Sequence, residues 1–270
     1  MRYRAVVSYF GSNYVGWQRQ LNGVSVQEKL EDALSEIFGV PTQATASGRT
    51  DAGVHAEGQV VHFDAETSIP PEKIPFAVNT ALPRDISMLS CEPVDEGFNA
   101  RFSAKRKTYR YSVYVSRHRK PMEEQTRAHI PVPLALAPMR ECARLIEGTH
   151  DFRCFEASGS KVKSTVRTVY AVEIVTEGER DGVLSEGTLD IYVTGNGFLY
   201  NMVRIIAGTL IYAGLGKLTA EDVRRVMESG DRTLAGKTMP PEGLCLMSVE
   251  YDPTDAGAPA DGADDGDCEG

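Results

Sequence analysis

The pattern of apolar and polar residues changes from a period of two to a helical period near the start of the chain. In residues 2–10 every second side chain is apolar, which predicts a strand. In residues 26–38 apolar side chains recur at intervals of three and four, which predicts a helix with one buried face. Ser25 and Glu28 have the spacing of a capping box at its start, and Gly39 marks its end.

The same order of elements is predicted twice along the chain. The predicted elements of the first half are strands over 2–10, 42–46, 59–63 and 86–91 and helices over 26–38 and 71–80. Those of the second half are strands over 108–115, 166–175, 188–193 and 244–249 and helices over 136–146, 201–213 and 220–229. The first half therefore has the β-α-β-β-α-β order of ferredoxin-like and RRM domains, and the second half repeats it with one additional short helix before its last strand. We predict an α/β fold of the α+β type, with two βαββαβ halves, largely antiparallel sheets and a central cleft where the two sheets meet.

Composition and charge divide the chain further. Residues 253–270 contain six acids and no base, mainly separated by Gly, Ala and Pro, and show no apolar periodicity. We therefore predict an N-terminal half at 1–104, a C-terminal half at 105–252 and an acidic disordered tail at 253–270. The net charge of −9 would count against a nucleic-acid partner, but without the tail only 32 acids face 29 bases.

One segment of the body is strongly basic. Residues 101–120 carry eight Lys and Arg and no Asp or Glu. The basic side chains are Arg101, Lys105, Arg106, Lys107, Arg110, Arg117, Arg119 and Lys120. A run of one sign indicates either a solvated face or a phosphate-binding surface, and both interpretations are open at this point.

Other classes of protein are disfavoured. The hydrophobic fraction of 41% and the charged fraction of 25% are typical of a globular protein. The most apolar stretch, 198–215, contains Arg204 and is short for a membrane span. The five cysteines are far apart and form no CxxC or Cys/His cluster, which argues against a disulfide framework and a zinc site. The first residues contain no apolar signal region, so we expect a cytoplasmic protein without a membrane anchor.

Asp51 and Arg204 stand out as candidates for chemistry. Asp51 lies between Gly48 and Gly53 in a loop, where an acid can stabilise a turn or act on a ligand that approaches closely. Arg204 lies among apolar residues near the start of a predicted helix, where a cation opposes the helix dipole. Because its own helix offers no acid one turn away, we expect a partner from elsewhere, and Asp51 is a candidate. The alternative is a purely structural ion pair, or an arginine head that reaches water.

Tyr109 borders the basic segment in a predicted strand. A tyrosine at such a position is most often part of the core, but aromatic side chains beside basic ones also hold unstacked bases. The five histidines show no metal-ligand spacing and no nucleophile partner, so we predict no metal site.

Blocks of sequence at 9–20, 48–56, 58–63, 78–83, 98–104, 109–111 and 195–204 follow one another in a recognisable order. The Gly-Arg-Thr-Asp-Ala-Gly run that starts at Gly48 is the most specific of them. Together the blocks resemble the tRNA pseudouridine synthase A family. Residues 116–133 match this family poorly, and the tail after Tyr251 has no counterpart in it, so their roles are open.

The resemblance implies an activity and roles for individual residues. Enzymes of this family isomerise uridine to pseudouridine at positions 38 to 40 of the tRNA anticodon arm, use no cofactor or metal, and act as homodimers in which one tRNA contacts both subunits. The nucleophilic aspartate of the family falls on Asp51, and the basic residue that pairs with it falls on Arg204. The tyrosine that stacks on the target base, also a candidate proton acceptor, falls on Tyr109. The residues expected to contact RNA are Arg49, Arg101, Lys105, Arg106, Tyr109 and Arg110.

Two other functions are open at the level of sequence. A catalytically silent RNA-binding protein or RNA chaperone would fit the topology and the basic segment, although the intact loop at 48–53 speaks against it. A hydrolase for small substrates would need a second acid near Asp51, and the sequence indicates none. Whether Asp51 attacks the base or the sugar is also open.

Overall fold

The computed structural model describes residues 1–159 and 162–252, and the predicted tail at 253–270 lies outside them. The strands are β1 (Arg2–Tyr9), β2 (Thr45–Ala46), β3 (His55–Asp64), β4 (Ile86–Val94), β5 (Arg106–Val115), β6 (Ala128–Ile130), β7 (Leu134–Ala135), β8 (Gly148–Asp151), β9 (Val166–Glu177), β10 (Val183–Leu184), β11 (Gly187–Gly195) and β12 (Leu244–Glu250). The helices are α1 (Val26–Phe38), α2 (Ile74–Ala81), α3 (Leu136–Ile146), α4 (Met202–Gly214) and α5 (Ala220–Ser229). Within the described residues, every helix is too short or too polar to cross a lipid bilayer.

The long predicted elements are present, and their ends differ by a few residues. Helix α1 has the predicted bounds: Ser25 Oγ accepts a hydrogen bond from the Glu28 N–H at 3.2 Å, and Gly39 ends the helix in the left-handed conformation with a φ of 71°. Strand β3 begins four residues before the predicted start at Gln59. The short strands β6, β7, β8 and β10 were not predicted, because two to four residues are too few to show a period.

Most strands lie in one ten-stranded sheet instead of the two neighbouring sheets that the repeat predicts. Its order is β4-β1-β3-β12-β5-β11-β9-β8, with β2 beside β3 and β6 beside β5, while β7 and β10 pair separately. In the described part of the chain, the pairs within this sheet are antiparallel except for β3–β12 and β5–β6. The predicted α+β class and the largely antiparallel pairing are therefore confirmed.

Strand β12 joins the two halves into this single sheet. Residues 245–246 of β12 pair in parallel with residues 55–56 of β3, and on its other side β12 runs antiparallel to β5. Gly58 permits the junction, because a Cβ at this position would lie only 2.3 Å from the Met247 carbonyl oxygen. Strand β12 thus pairs with β3 of the predicted N-terminal half and with β5 of the predicted C-terminal half. The division of the chain at residue 104 therefore stays a prediction.

Two apolar cores lie on the same face of the sheet. In the first core, α1 and α2 pack Leu30, Leu34 and Val78 against β1 and β3. In the second core, α3 packs against β9, α4 packs against β5, and α5 packs on α3. Leu246 and Tyr109 are cross-strand partners and so project from one face, and Tyr109 contacts both cores. The boundary between the cores therefore runs past Tyr109.

Two buried histidines on β3 accept hydrogen bonds from the backbone. His55 Nδ1 accepts from the Gly11 N–H at 3.0 Å, and its Nε2 lies 3.1 Å from the Glu242 carbonyl oxygen. His62 Nδ1 accepts from the Ala100 N–H at 3.1 Å. A ring nitrogen that accepts carries no proton, so both imidazoles are neutral. Burial also lowers the pKa of both side chains, because it disfavours the charged form.

These histidines predict a loss of stability in mildly acidic solution. Their folded pKa lies below the ordinary value of 6.5, so the unfolded chain binds protons first as the pH falls. The free energy of unfolding should be largest above about pH 6.5 and should decrease as the pH falls through the lowered pKa values. Urea denaturation at about pH 7.5 and about pH 5.5 measures the change.

A substitution separates the histidine contribution from other acid effects. His62→Phe leaves the Ala100 N–H without its acceptor, which should lower the free energy of unfolding by about 1–3 kcal/mol near neutral pH. The further decrease in the free energy of unfolding between about pH 7.5 and about pH 5.5 should be smaller in this variant than in the wild type. His118→Phe, at an exposed position, is the matched control and should change neither quantity. An acid-induced loss as large in His62→Phe as in the wild type would contradict this assignment.

Candidate active site

A cavity of about 850 Å³ opens where the two cores meet. Its wall includes the loop at 44–51, Tyr109 of β5 and the segment at 196–203. Among the described residues of the wall, Asp51 is the single carboxylate. Four basic side chains share the wall, and these are Arg49, Arg101, Lys107 and Arg167. The cavity is thus positively charged, although the protein as a whole is acidic.

The loop that carries Asp51 is held by a buried glutamine and a lysine. Ser47 Oγ donates to Gln59 Oε1 at 2.7 Å, and Gln59 Nε2 donates to the Gly48 carbonyl oxygen at 2.9 Å. Ser47 and Gln59 are fully buried, so water does not compete for these bonds. Lys107 Nζ donates to the Ser47 carbonyl oxygen at 2.6 Å. The start of the loop therefore has a fixed path.

The residue before Asp51 is held by the N-terminal part of the chain. Thr50 Oγ1 and the Tyr9 hydroxyl lie 2.8 Å apart, and the Thr50 carbonyl oxygen accepts from the Trp17 N–H at 3.0 Å. Gly16, with a φ of 109°, makes this approach possible, because a Cβ there would lie 2.7 Å from the same carbonyl oxygen. The backbone at Asp51 is consequently fixed from both sides.

Arg204 reaches Asp51 from helix α4. Its Nη1 lies 3.7 Å from Asp51 Oδ2, and the two side chains are 15% and 37% exposed. Arg204 Nε donates to the Met239 carbonyl oxygen and Nη1 donates to Asn201 Oδ1, both at 2.6 Å. Asn201 precedes the helix with a φ of 60°, a left-handed conformation that asparagine tolerates better than most residues. The carboxylate that the sequence requires for Arg204 is thus Asp51, from the other half of the chain.

Two opposing effects set the charge of Asp51. Burial disfavours the carboxylate and raises the pKa of Asp51 above its ordinary value, whereas the Arg204 guanidinium lowers it. Burial is the larger effect. The arginine therefore acts in the expected direction, but at 3.7 Å the ion pair is longer than a charge-assisted hydrogen bond and does not offset burial completely.

Tyr109 lines the same cavity from the middle of the sheet. Its ring meets that of Phe198 edge to face, with the ring centroids 5.3 Å apart. Burial raises the pKa of Tyr109, and the nearby Tyr9 and Asp51 side chains add to the effect. Near pH 7 the side chain is a neutral phenol, which can donate a hydrogen bond but must lose its own proton before it acts as a base.

The predicted RNA contacts fall into two groups. Arg49 and Arg101 line the cavity. The other three basic residues lie outside its wall, and each is paired with a carboxylate. The pairs are Lys105 with Asp252 at 3.0 Å, Arg106 with Glu250 at 3.8 Å and Arg110 with Glu57 at 3.0 Å. Arg110 follows Tyr109 in β5 and therefore projects from the opposite face of the sheet, and its contact with RNA stays a prediction.

Three further residues of the wall are not among the predicted site residues: Lys107, which the sequence shows only as part of the basic segment, Arg167 and Asn201. Lys107 precedes Tyr109 by two residues, so strand alternation alone places both side chains on one face. Arg167 in β9 and Asn201 before α4 carry no comparable local signal. They share a cavity with Asp51 only because of the order of the strands in the sheet.

The described residues hold no group of three or more His, Cys, Asp or Glu side chains that could bind a metal ion. Within the same part of the chain the cysteines are buried and free. Burial raises the pKa of Cys245 in β12 to about 12, so this side chain is a neutral thiol near pH 7.

Known proteins resemble this chain over most of its length. The sequence profile of a family described as tRNA pseudouridine synthase matches residues 5–103 and 142–252. The tRNA pseudouridine synthase A of Ruminiclostridium cellulolyticum is 45% identical over 248 residues, which cover 92% of this chain and 98% of the relative. The protein of the same name from Bacillus subtilis is 44% identical over 254 residues, which cover 93% of this chain and 100% of the relative.

A solved Cbf5–Nop10–Gar1 complex contains a chain that is similar at 13% identity, with a TM-score of 0.38, over 90% of this chain and 48% of that one. Two chains with such a score need not share a fold. The match to the family profile, by contrast, covers most of the chain and includes the loop with Asp51 and the helix with Arg204. The chain therefore belongs to the tRNA pseudouridine synthase family, whose members are isomerases.

Proposed function

We propose that this protein converts uridine to pseudouridine at positions 38 to 40 of the tRNA anticodon arm, with Asp51 as the nucleophile. The observation that carries the proposal is the position of Asp51, the single carboxylate among the described residues of a cation-lined cavity, 3.7 Å from Arg204. Membership of the family supports tRNA as the substrate. The positions within the tRNA rest on the resemblance of the sequence motifs alone.

The reaction rearranges one nucleoside without adding or removing atoms. The bond between N1 of uracil and C1′ of ribose breaks, the uracil turns, and a bond forms between C5 and C1′. The hydrogen on C5 leaves as a proton, and N1 gains a proton. Because substrate and product have the same composition, no co-substrate is needed, and we include the absence of a cofactor in the proposal.

Asp51 and Arg204 supply the charge for this chemistry. A carboxylate can attack C1′ of the ribose or C6 of the base, and both routes start from its ionised form. Arg204 favours that form in a half-buried site, where burial alone would favour the acid. The hydrogen bonds from Arg204 to Met239 and Asn201 hold the guanidinium in place before substrate binds.

Tyr109 provides a surface for the target base. A uridine inside a helix or a stacked loop must leave its stack before a side chain can reach its glycosidic bond. The Tyr109 ring lies in the same cavity as Asp51, and the edge contact with Phe198 fixes its plane. We therefore propose that the extruded base stacks on Tyr109 while Asp51 reacts.

The resemblance also implies an assembly. We propose that the protein is a homodimer and that one tRNA contacts both subunits. Two-site contact would orient the long tRNA so that the anticodon arm meets one cavity.

Loss of the Asp51 carboxylate tests the central role. Asp51→Asn should reduce pseudouridine formation by at least about 10³-fold, because no other carboxylate of the described residues lines the cavity. Tritium release from tRNA labelled at C5 of uridine measures the reaction, since C5 loses its hydrogen. Asp64→Asn, which removes an exposed partner of Arg2 outside the cavity, is the control and should retain activity.

Several outcomes would count against the proposal. Equal rates for Asp51→Asn and the wild type would show that Asp51 is not the nucleophile. Binding of tRNA by the wild type without any product would favour a silent RNA-binding protein. A tRNA with cytidine at positions 38 to 40 should be no substrate, and undiminished product from it would refute the proposed positions.

The pH dependence of the reaction tests the role of Arg204. Because the pKa of Asp51 is raised, kcat/KM should fall with decreasing pH at a higher pH than an exposed aspartate would give. Arg204→Gln removes the charge that lowers this pKa, so the acidic limb should move to higher pH, and Arg204→Lys should move it less. Single-turnover rates between about pH 5 and 8 measure the limb. Identical acidic limbs would show that Arg204 does not stabilise the carboxylate.

Two substitutions at Tyr109 separate its ring from its hydroxyl. Tyr109→Phe keeps the stacking surface and should cost less than about tenfold in kcat/KM. Tyr109→Leu removes the surface and should cost about 10²-fold, as expected for the loss of one base–aromatic stack. The same tritium-release assay gives both values. Equal large losses in the two variants would assign the role to the hydroxyl, including that of proton acceptor.

A further inference from the structure

The cations of the basic segment differ in their partners. Five of them form ion pairs with carboxylates in the described structure. These pairs are Lys105–Asp252, Arg106–Glu250, Arg110–Glu57, Arg119–Glu124 and Lys120–Glu186. Arg101 and Lys107, which line the cavity, form no ion pair with any carboxylate of the described residues. The basic segment therefore contains cations that a carboxylate neutralises and cations whose charge is uncompensated.

The same holds for the other two cations of the cavity wall. Arg49 and Arg167 have no carboxylate partner within residues 1–159 and 162–252. Arg167 Nη1 donates to the carbonyl oxygens of Ser164 and Val166 at 2.9 and 2.6 Å, which orient the guanidinium but leave its charge uncompensated. Apart from Asp51, which faces Arg204, the wall has no negative charge among its described residues.

Lys107 is the most constrained of these cations. Its Nζ donates to the Ser47 carbonyl oxygen at 2.6 Å, and a Cβ on Gly48 would lie only 3.0 Å from Nζ. Burial and the charge of Arg101 lower the pKa of Lys107 to about 8. An ammonium group that is largely buried next to a second cation, without a carboxylate, is unfavourable unless an anion joins it.

We propose that Lys107 and Arg101 form a phosphodiester subsite, which binds the RNA backbone next to the uridine that enters the cavity, with Arg49 and Arg167 on the same wall. The inference rests on the proposed function and names the contact that positions the substrate. Phosphodiester groups of RNA carry the single negative charge that the wall lacks, and RNA contacts of this kind place the target without reading its sequence. The paired cations outside the cavity present little net charge to a phosphate.

The dependence of tRNA affinity on salt tests the subsite. Each phosphate contact contributes about 0.7–0.9 to the slope of log K against log salt concentration. Lys107→Gln and Arg101→Gln should each weaken tRNA binding and reduce the slope by about that amount. Arg119→Gln, from the same basic segment but paired with Glu124, is the matched control and should leave the slope unchanged. Lys107→Arg, which keeps the charge, should restore the slope.

A modified RNA tests whether the ligand of Lys107 is a phosphodiester of the RNA backbone or a free anion. Two anticodon stem-loops are compared, each with one uncharged methylphosphonate linkage, which lies before the target uridine in one RNA and after it in the other. The wild type should bind one of these two RNAs more weakly than the unmodified stem-loop. At that position Lys107→Gln should cause no additional loss, because both changes remove the same contact. Additive losses at both linkages would overturn the proposal and would leave a free anion as the ligand of Lys107.

Failure of this inference differs from failure of the proposed function. If the wild type makes pseudouridine but Lys107→Gln and Arg101→Gln keep the full slope, the subsite is wrong and the activity stands. If Arg106→Gln reduces the slope in their place, the backbone runs over the opposite face of the sheet. If the wild type makes no pseudouridine in the same tRNA, the proposed function fails.

Discussion

The pairing of β12 with both β3 and β5 is the constraint on which the rest of the structure depends. It fuses strands from the two halves into one sheet through only two parallel pairs on one side and an antiparallel ladder on the other. The Asp51 loop precedes β3, and Tyr109 belongs to β5, so this strand sets the distance between them. Three contacts secure the segment before β12: Arg204 with Met239, the Tyr111 hydroxyl with Pro240, and His55 with Glu242.

Within this frame, the site balances burial against ion pairing. A fully exposed Asp51 would be ionised but surrounded by water, and a fully buried one without Arg204 would be protonated. The observed carboxylate is half-buried and faces a guanidinium that is held by two other acceptors. Burial raises the pKa of this carboxyl and the guanidinium lowers it, so the two effects oppose each other at the same side chain.

Much of the fold follows from local pattern. Strand alternation and helical periodicity predicted the long elements, and Ser25 and Gly39 marked both ends of α1. The single sheet could not be predicted, because residues 55–56 and 245–246 pair across a separation of 190 residues and no local pattern marks so short a contact. The need of Arg204 for a carboxylate was predictable, since an unpaired cation beside apolar residues is costly.

The basic segment shows where sequence reasoning is insufficient. The sequence displays the cations of residues 101–120 together, but their partners Glu57, Glu250 and Asp252 are distant in sequence and unmarked. Neighbouring residues of β5 also project from opposite faces, so Arg110 and Tyr109 are adjacent in the chain and separated in space. Only the tertiary structure divides the segment into neutralised and uncompensated charges.

The position of β12 in the chain has a consequence for biosynthesis. A ribosome delivers residues in order, and β12 is made after the loop with Asp51, after Tyr109 and after Arg204. A nascent chain that ends before β12 therefore contains these three side chains without the strand that fixes their spacing. The cavity can acquire its shape only after β12 has been synthesised, so nascent chains that end before this strand present no assembled site to the tRNAs that surround them.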